Sequence, residues 1–453
     1  MKSLLIVGGS DAGISAALRA KEIDPAVAVT MILADRFPNF SICGLPFYIS
    51  GETPDWQQLA HRTIAEIEEK GVGLMLGHSV DVIDPVKHTC LVRDQDGNML
   101  SLKYDKLVIG TGAVSTRPSI EGIDLPGVFL LRWMEDSIVL KKYLNEKAPA
   151  TAVVVGGGYI GMEMADAFTH LGIQVTMIEY ADHVLTTLDP EMSNLVKDHL
   201  EKHGVRVITG MPVHAIEQHD GQLSVIGSDG LTTQSDIVLV AAGARPNVSL
   251  AKSSGVNIGQ FGAVCVNRKM ETNVEDVYAA GDCAETWHLI LGKYVYMPLG
   301  TTAHKQGRVA GENAAGGAAL FKGSLGTQVV KIFDLVAART GLRDNEAKAA
   351  GFHPLTVDVE LWDHKAYYPG AKLIHIRITG DRSTQKLLGV QIIGHHGSEI
   401  SKRVDVIAAA LFNDMKMDEL SDLDLTYTPP LSSPWDPLQL ASQEWLRKFH
   451  AHS

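Results

Sequence analysis

The sequence predicts an α/β fold of about three domains, and three observations carry that prediction. The chain has 453 residues, too many for one hydrophobic core and suited to units of ~150 residues each. It is 45% hydrophobic with 43 glycines, the composition of an ordered, turn-rich protein. Two stretches, at 3–21 and 152–171, each run from an apolar strand through a glycine turn into a helix. The net charge of −13, with acids spread along the chain, argues against a phosphate backbone, so no nucleic-acid partner is expected. No apolar run reaches the ~18 residues of a spanning helix. The start MKSLLIVGGS is too short for a signal-peptide core and reads as a first strand. Four scattered cysteines fit a reducing, cytoplasmic setting.

The first unit opens on Ser3-Leu4-Leu5-Ile6-Val7, continues through Gly8-Gly9-Ser10-Asp11-Ala12-Gly13, and enters a helix over Ile14 to Lys21. In that order, backbone N–H groups at the helix start can cradle a pyrophosphate, as in a Rossmann-like dinucleotide-binding domain. Ser10 stands where the middle glycine is usual. The candidate contacts are Gly8, Ser10, Asp11, Ala12 and Gly13. The next strand, Ala28 to Ala34, should be followed by an acid for a ribose hydroxyl about 20 residues past Gly13. Asp35 is assigned that contact; the competing reading is an aspartate that merely starts a turn.

The second unit is cleaner. Ala152-Val153-Val154-Val155 precedes Gly156-Gly157-Gly158-Tyr159-Ile160-Gly161, then a helix over Met162 to Leu171 and a strand over Gln174 to Ile178. That strand ends on Glu179. A carboxylate there accepts both hydroxyls of an unphosphorylated ribose and repels a 2′-phosphate, so NADH is expected in preference to NADPH.

Two such units suggest a flavin domain and a nicotinamide domain. The apolar strands ending at Thr111-Gly112 and Gly243-Ala244 suit points where the chain crosses between them. A third strand, Val277 to Ala280, ends on Gly281-Asp282, where glycine admits a cofactor and the acid can hold a polyol hydroxyl. Cys43 lies between, in Ser41-Ile42-Cys43-Gly44-Leu45-Pro46. With no second cysteine in reach, it can cycle only by bonding a foreign sulfur or by oxidation to a sulfenic acid. Pro46 suits the first turn of a helix, and a thiol there should ionise below its free value of ~8.5. Cys90 and Cys265 read as small core residues, and Cys283 as a neighbour of the cofactor. The eighteen histidines show no metal-ligand spacing, so no metal is expected.

On these residues the chain resembles the pyridine nucleotide–disulfide oxidoreductase superfamily, in particular its single-cysteine branch of coenzyme A-disulfide reductases, NADH oxidases, NADH peroxidases and persulfide reductases. The resemblance runs end to end. It is carried by Phe40…Cys43-Gly44-Leu45-Pro46, Gly281-Asp282, Thr301-Thr302-Ala303-His304, Lys331-Ile332-Phe333-Asp334, Arg339-Thr340-Gly341-Leu342, Tyr367-Tyr368-Pro369-Gly370 and Leu425-Thr426-Tyr427-Thr428-Pro429-Pro430. It implies two Rossmann-like domains plus an α+β dimerisation domain. The implied boundaries are 1–112 with 244–324 for FAD, 113–243 for NAD(H) and 325–453 for dimerisation.

The resemblance also implies roles. Asp282 would bind the FAD ribityl chain, with further contacts at Val80, Thr111, Gly112, Gly243, Gly281, Thr301 and Thr302. A helix starting near Thr302 would aim its N-terminus at the flavin. Tyr159 would cover the flavin and Glu163 would lie near the nicotinamide amide. Tyr427, with Tyr367 or Tyr368, would reach the partner subunit's Cys43. Asp11 departs from the family: peroxidase and water-forming oxidase relatives carry histidine there, and coenzyme A-disulfide reductases a small residue. It would either oppose thiolate formation at Cys43 or accept backbone N–H bonds in the glycine turn. Arg19 keeps a position where relatives place cations for nucleotide phosphates, but the next such position is Glu22. Asn39 and Ile42 replace a serine and an asparagine beside the cysteine, making a coenzyme A disulfide a weaker substrate.

The resulting expectation is an FAD-dependent homodimeric enzyme. It would pass electrons from NADH through flavin and Cys43 to a small disulfide, persulfide or polysulfide, coenzyme A-linked or not. The alternatives are an NADH oxidase reducing O2 and an electron-transfer reductase for a small redox protein.

Overall fold

The computed structural model describes residues 2–451. The strand Ser3–Val7 is central in the first sheet. Ala28–Leu33 and Val72–Leu76 follow on one side, Lys106–Ile109 and Val277–Ala279 on the other, all parallel. Parallel strands covered on both faces must be apolar throughout, which is why Leu4, Ile6, Met31, Val108 and Ile109 are buried in sequence runs without alternation. The second sheet repeats the plan in the order Arg206–Ile208, Gln174–Ile178, Thr151–Val155, Ile237–Val240 and Val128–Leu130, again all parallel. The chain passes between these units through a two-stranded antiparallel ribbon, Ala113–Ser115 against Ala244–Pro246.

Both glycine turns end earlier than their sequences suggest. The helices are Asp11–Ile23 and Tyr159–His170, each starting three residues before the first apolar periodic position. Gly13 and Gly161 therefore lie inside their helices, where a Cβ would meet Gly8 O at 2.0 Å and Gly156 O at 2.0 Å respectively. Helix Asp11–Ile23 also packs against Gly300–Ala314 at very short range. A Cβ at Gly307 would lie 2.1 Å from Ala12 O, and one at Gly311 would lie 2.1 Å from Ala16 O. The small faces Ala12/Ala16 and Gly307/Gly311 set the start of the first helix against the middle of the second, and that places the site.

The third unit is an antiparallel sheet in the order Gln328–Ile332, Leu335–Gly341, Leu387–His395, Leu373–Asp381 and Pro354–Trp362. Helices Ile400–Phe412 and Pro437–Ala451 close its core around Trp445, Ile376 and Ile407. Arginines hold this unit to the second one. Arg339 donates to Thr187 O at 2.7 Å, Arg343 to Thr186 O at 2.7 Å, and Arg377 Nε to Asp189 Oδ2 at 2.8 Å. Burial works against Glu346, but Arg339 and Arg343 hold its carboxyl down at about 2. Among the described residues, no helix is long and apolar enough to cross a membrane.

Candidate functional site

Cys43 sits in a short 3-10 turn, Ile42–Gly44, that leads into the helix Leu45–Ser50. Phe37, Phe40 and Trp56 brace the preceding loop, with ring centroids 5.5 to 5.7 Å apart. Of the four free cysteines, Cys43 is the exposed one; Cys90 and Cys283 are buried, and Cys265 is half-buried beside Glu285. Burial pushes Cys90 up to about 12, so it is inert.

The expected lowering of the Cys43 thiol is reversed. Desolvation by the walls of its recess comes first, and then the charges of Glu163, Asp11 and Asp282 push the thiol up, with Arg132 opposing. The helix it precedes has only six residues. Its dipole is outweighed by three carboxylates converging from three other elements.

Those carboxylates are individually held. Asp11 accepts no backbone N–H bond among the described residues, so that reading of it is corrected. Instead Asp11 Oδ1 lies 3.4 Å from His304 Nε2, while His304 Nδ1 meets Ser15 Oγ at 2.7 Å. Asp11 Oδ2 also lies over the start of helix Gly300–Ala314, where a side chain at Gly300 would come within 2.9 Å of it. Burial pushes Asp11 above the usual carboxylate range, with His304 pulling the other way. Asp282 Oδ2 accepts from Arg132 Nη2 at 2.8 Å. Arg132 escaped the sequence reading; the visible signal is a lone arginine inside the apolar run Leu130-Leu131-Arg132-Trp133. Burial, and then Asp166, push Glu163 up to about 7.

The remaining predicted contacts fall into place around the two turns. Gly8 has φ +111°, and a Cβ there would strike Gly110 O at 2.1 Å; Gly156 has φ +114°, with Ala241 O at 2.4 Å. Gly158, by contrast, has nothing within 4 Å of a built Cβ, so its backbone is open to a ligand. Ser10 and Gly158 are the extended N-cap residues of their helices, and Ala12 and Ile160 lie in the first turns. Glu179 accepts from Gly157 N–H and, at 2.7 Å, from Ala181 N–H. One lone pair on each oxygen remains for ribose hydroxyls. Asp35 accepts from Phe37 N–H at 2.9 Å, so it starts a turn with one oxygen and leaves the other. Tyr159 opens its helix, its hydroxyl 3.4 Å from Thr187 Oγ1.

Gly112 and Gly243 adopt positive φ in open space, and Thr111 Oγ1 ties the crossing to Asn247 O at 2.7 Å. Gly281 has φ +84°, and a Cβ there would meet Ala12 at 2.8 Å. Val80 is the second residue of strand Ser79–Asp84, in a three-stranded sheet at the rim of the first core. Thr301 and Thr302 are the second and third residues of their helix, and Thr302 Oγ1 contacts Ser324 Oγ at 3.0 Å.

A dinucleotide fits these residues. Arg132 Nε and Asn39 Nδ2 are buried donors without a partner, one beside Asp282 and the other on the loop whose backbone bonds Gly9. A ligand rich in acceptor oxygens laid along the Gly8–Gly13 turn would satisfy them.

Two arrangements differ from what the sequence alone suggests. Arg19 is not free for a phosphate, because it donates to Glu312 at 2.7 Å and to Glu22 at 2.8 Å. The histidines do contain metal-ligand spacing: His199 and His203 are four apart on one helix and meet Asp334, a pattern missed because the third ligand is 131 positions further along the chain than His203. Tyr367, Tyr368 and Tyr427 are all exposed on the third unit.

The relatives of the chain point to the same chemistry. Residues 2–307 match the pyridine nucleotide-disulphide oxidoreductase family, and residues 327–437 match its dimerisation domain. The chain is 37% identical over 438 residues to an NAD(P)H sulfur oxidoreductase (CoA-dependent) of Pyrococcus abyssi, covering 96% of each. It is 34% identical to an NADH oxidase of Methanocaldococcus jannaschii, covering 98% of this chain and 99% of the other. Among solved structures, an NAD-dependent persulfide reductase from A. fulgidus superposes with a TM-score of 0.95 at 35% identity, over 99% of this chain and 84% of that one. The chain belongs to the pyridine nucleotide-disulphide oxidoreductase family, as an FAD- and NAD(P)H-dependent oxidoreductase with two dinucleotide-binding units and a dimerisation domain.

Proposed function

We propose that this enzyme uses NADH to reduce a small sulfur acceptor through Cys43. One observation carries the reading: the single exposed cysteine lies in the same charged recess as Asp282, Asp11 and Glu163. The thiolate of Cys43 attacks one sulfur of an R–S–S–R′ acceptor. The acceptor S–S bond breaks, a Cys43 mixed disulfide forms, and R′S⁻ leaves and takes a proton. Gly8–Gly13 would hold FAD and Gly156–Gly161 NADH, and that pair, when bound, would supply the two electrons that reopen the mixed disulfide. Overall, R–S–S–R′, NADH and a proton give two thiols and NAD⁺. Glu163, poised at about 7, exchanges a proton near the thiol around neutral pH.

Several residue roles belong to this proposal. Glu179 selects NADH over NADPH. Asp282 holds the FAD polyol chain with Arg132 as its anchor, and Asp35 the adenosine ribose. Tyr427, with Tyr367 or Tyr368, serves as hydrogen donor at the partner subunit's Cys43. The domain limits are 1–112 with 244–324, 113–243 and 325–453, in a cytoplasmic homodimer. The acceptor is a persulfide, polysulfide or small disulfide before coenzyme A disulfide. The occupied Arg19 and the apolar Ile42 both reduce the fit of a nucleotide-bearing thiol.

The test is anaerobic NADH consumption by FAD-replete enzyme with coenzyme A disulfide, glutathione disulfide and polysulfide, beside the aerobic rate. The expected result is a kcat/KM for one sulfur acceptor at least ~10-fold above that for O2. Turnover with O2 alone would refute it.

A further inference from the structure

Two histidines and an aspartate converge where the second nucleotide-binding unit meets the third, and none of the chemistry above uses them. His199 lies in the last turn of helix Pro190–Lys202 and His203 caps it, so both rings share a face with centroids 4.4 Å apart. Asp334 comes from the tip between strands Gln328–Ile332 and Leu335–Gly341. That tip is fixed. Phe333 N–H donates to Asp166 Oδ2 at 2.8 Å, His396 N–H donates to Asp334 O at 2.8 Å, and the Phe333 ring stacks on His203 at 4.2 Å.

The ligand atoms face one another. His199 Nε2 is 2.9 Å and His203 Nε2 is 3.7 Å from Asp334 Oδ1, and the three atoms lie within 4.8 Å of each other. Hydrogen bonding accounts for only part of the arrangement. His203 Nδ1 is 2.9 Å from the His199 carbonyl oxygen. A carbonyl only accepts, so Nδ1 carries the proton and a neutral ring turns its Nε2 lone pair toward the carboxylate. His199 Nε2 is a buried atom 2.9 Å from Asp334 Oδ1. A cation among these atoms would engage the His203 Nε2 lone pair and the Asp334 carboxylate together, with His199 Nε2 in reach.

We infer that His199, His203 and Asp334 form a binding site for a divalent transition metal, with zinc the best fit, that clamps the second unit to the third. Two imidazoles and one carboxylate supply three ligands and leave a fourth position to water, a set that suits zinc and not the all-oxygen preference of magnesium or calcium. The carbonyl bond at His203 Nδ1 is the orienting contact such ligands ordinarily have. His395 adds another: its Nδ1 accepts from Gly397 N–H at 3.1 Å, so its Nε2 carries a proton, 3.7 Å from Asp334 Oδ2.

The test is zinc titration of untagged, FAD-replete enzyme against a chromophoric chelator, repeated after alkylation of Cys43 with iodoacetamide. The expected result is one zinc per chain, unchanged by alkylation and weakened at least ~10-fold by His203→Gln and by Asp334→Asn. His219→Gln, on an exposed strand of the second unit, should leave it unchanged. Both variants replace partly exposed side chains, and their bound FAD reports that they have folded. Thermal melting should show zinc raising the wild-type transition and leaving the two variants' transitions in place. Failure of wild-type enzyme to bind zinc, loss of binding on alkylation, or full binding by Asp334→Asn would each overturn the inference.

Discussion

His304 Nε2 lies 3.4 Å from Asp11 Oδ1 across the close contact of two helices. The small faces of those helices, Ala12/Ala16 and Gly307/Gly311, set that separation. Asp11 is thus a charge turned toward the cysteine recess and partly balanced by a histidine. The charge pushes the Cys43 thiol up. Asp11→Asn should therefore lower the thiol's ionisation midpoint, measured as the pH dependence of iodoacetamide alkylation of the reduced enzyme. An unchanged profile would assign Asp11 to helix packing alone.

Glu163 gives a pH dependence with a definite sign. Its carboxyl rises from an ordinary 4.5 to about 7 on folding, chiefly by desolvation. The folded state binds the extra proton between those values, so stability is lost as pH climbs from 4.5 through 7. The loss is at most about 3.5 kcal/mol, at ~1.4 kcal/mol per unit. Glu163→Gln should flatten this slope, and its melting temperature should gain on wild type between pH 5 and pH 8. A constant difference across that range would remove Glu163 from the account.

Glu179 carries the choice of nicotinamide. Glu179→Ala should raise KM for NADH by about tenfold, the order of one or two lost charge-assisted hydrogen bonds, and narrow the NADH over NADPH ratio of kcat/KM. Because the same carboxylate holds Gly157 and Ala181, affinity for both nucleotides should fall together in part. A wild-type preference for NADPH of tenfold or more would refute the assignment.

The partner-subunit role of Tyr427 is open to complementation. Tyr427→Phe should lower kcat for the sulfur acceptor by about 10²-fold, the lower range for loss of a positioned acid. Mixed dimers of Tyr427→Phe with Cys43→Ser rebuild one intact site only if Cys43 and Tyr427 come from different subunits. Recovery of activity on mixing is expected; mixtures as inactive as their parents would place the pair in one chain.

The fold was legible because each nucleotide-binding unit repeats a period the sequence states openly: an unbroken apolar strand, glycines where a Cβ would strike a carbonyl, then a helix. Cys43 stood out for lack of a partner cysteine, and Glu179 for ending a strand. The misreadings share a cause, which is long-range pairing. Arg132 meets Asp282 from 150 positions away, and Arg19 is held by Glu312 from 293 positions away. The Cys43 thiol is governed by carboxylates from three other elements and not by the helix beside it in sequence. Local periodicity carries no information about such meetings, which depend on how close Gly307 and Gly311 let two helices approach.

The central claim is that electrons reach the sulfur acceptor through Cys43. The most direct measurement is anaerobic NADH-dependent reduction of polysulfide and coenzyme A disulfide by Cys43→Ser enzyme, with FAD content matched to wild type. The account predicts a loss of at least ~100-fold with both acceptors, while slow NADH oxidation by O2 persists. Full acceptor reduction by Cys43→Ser would contradict it.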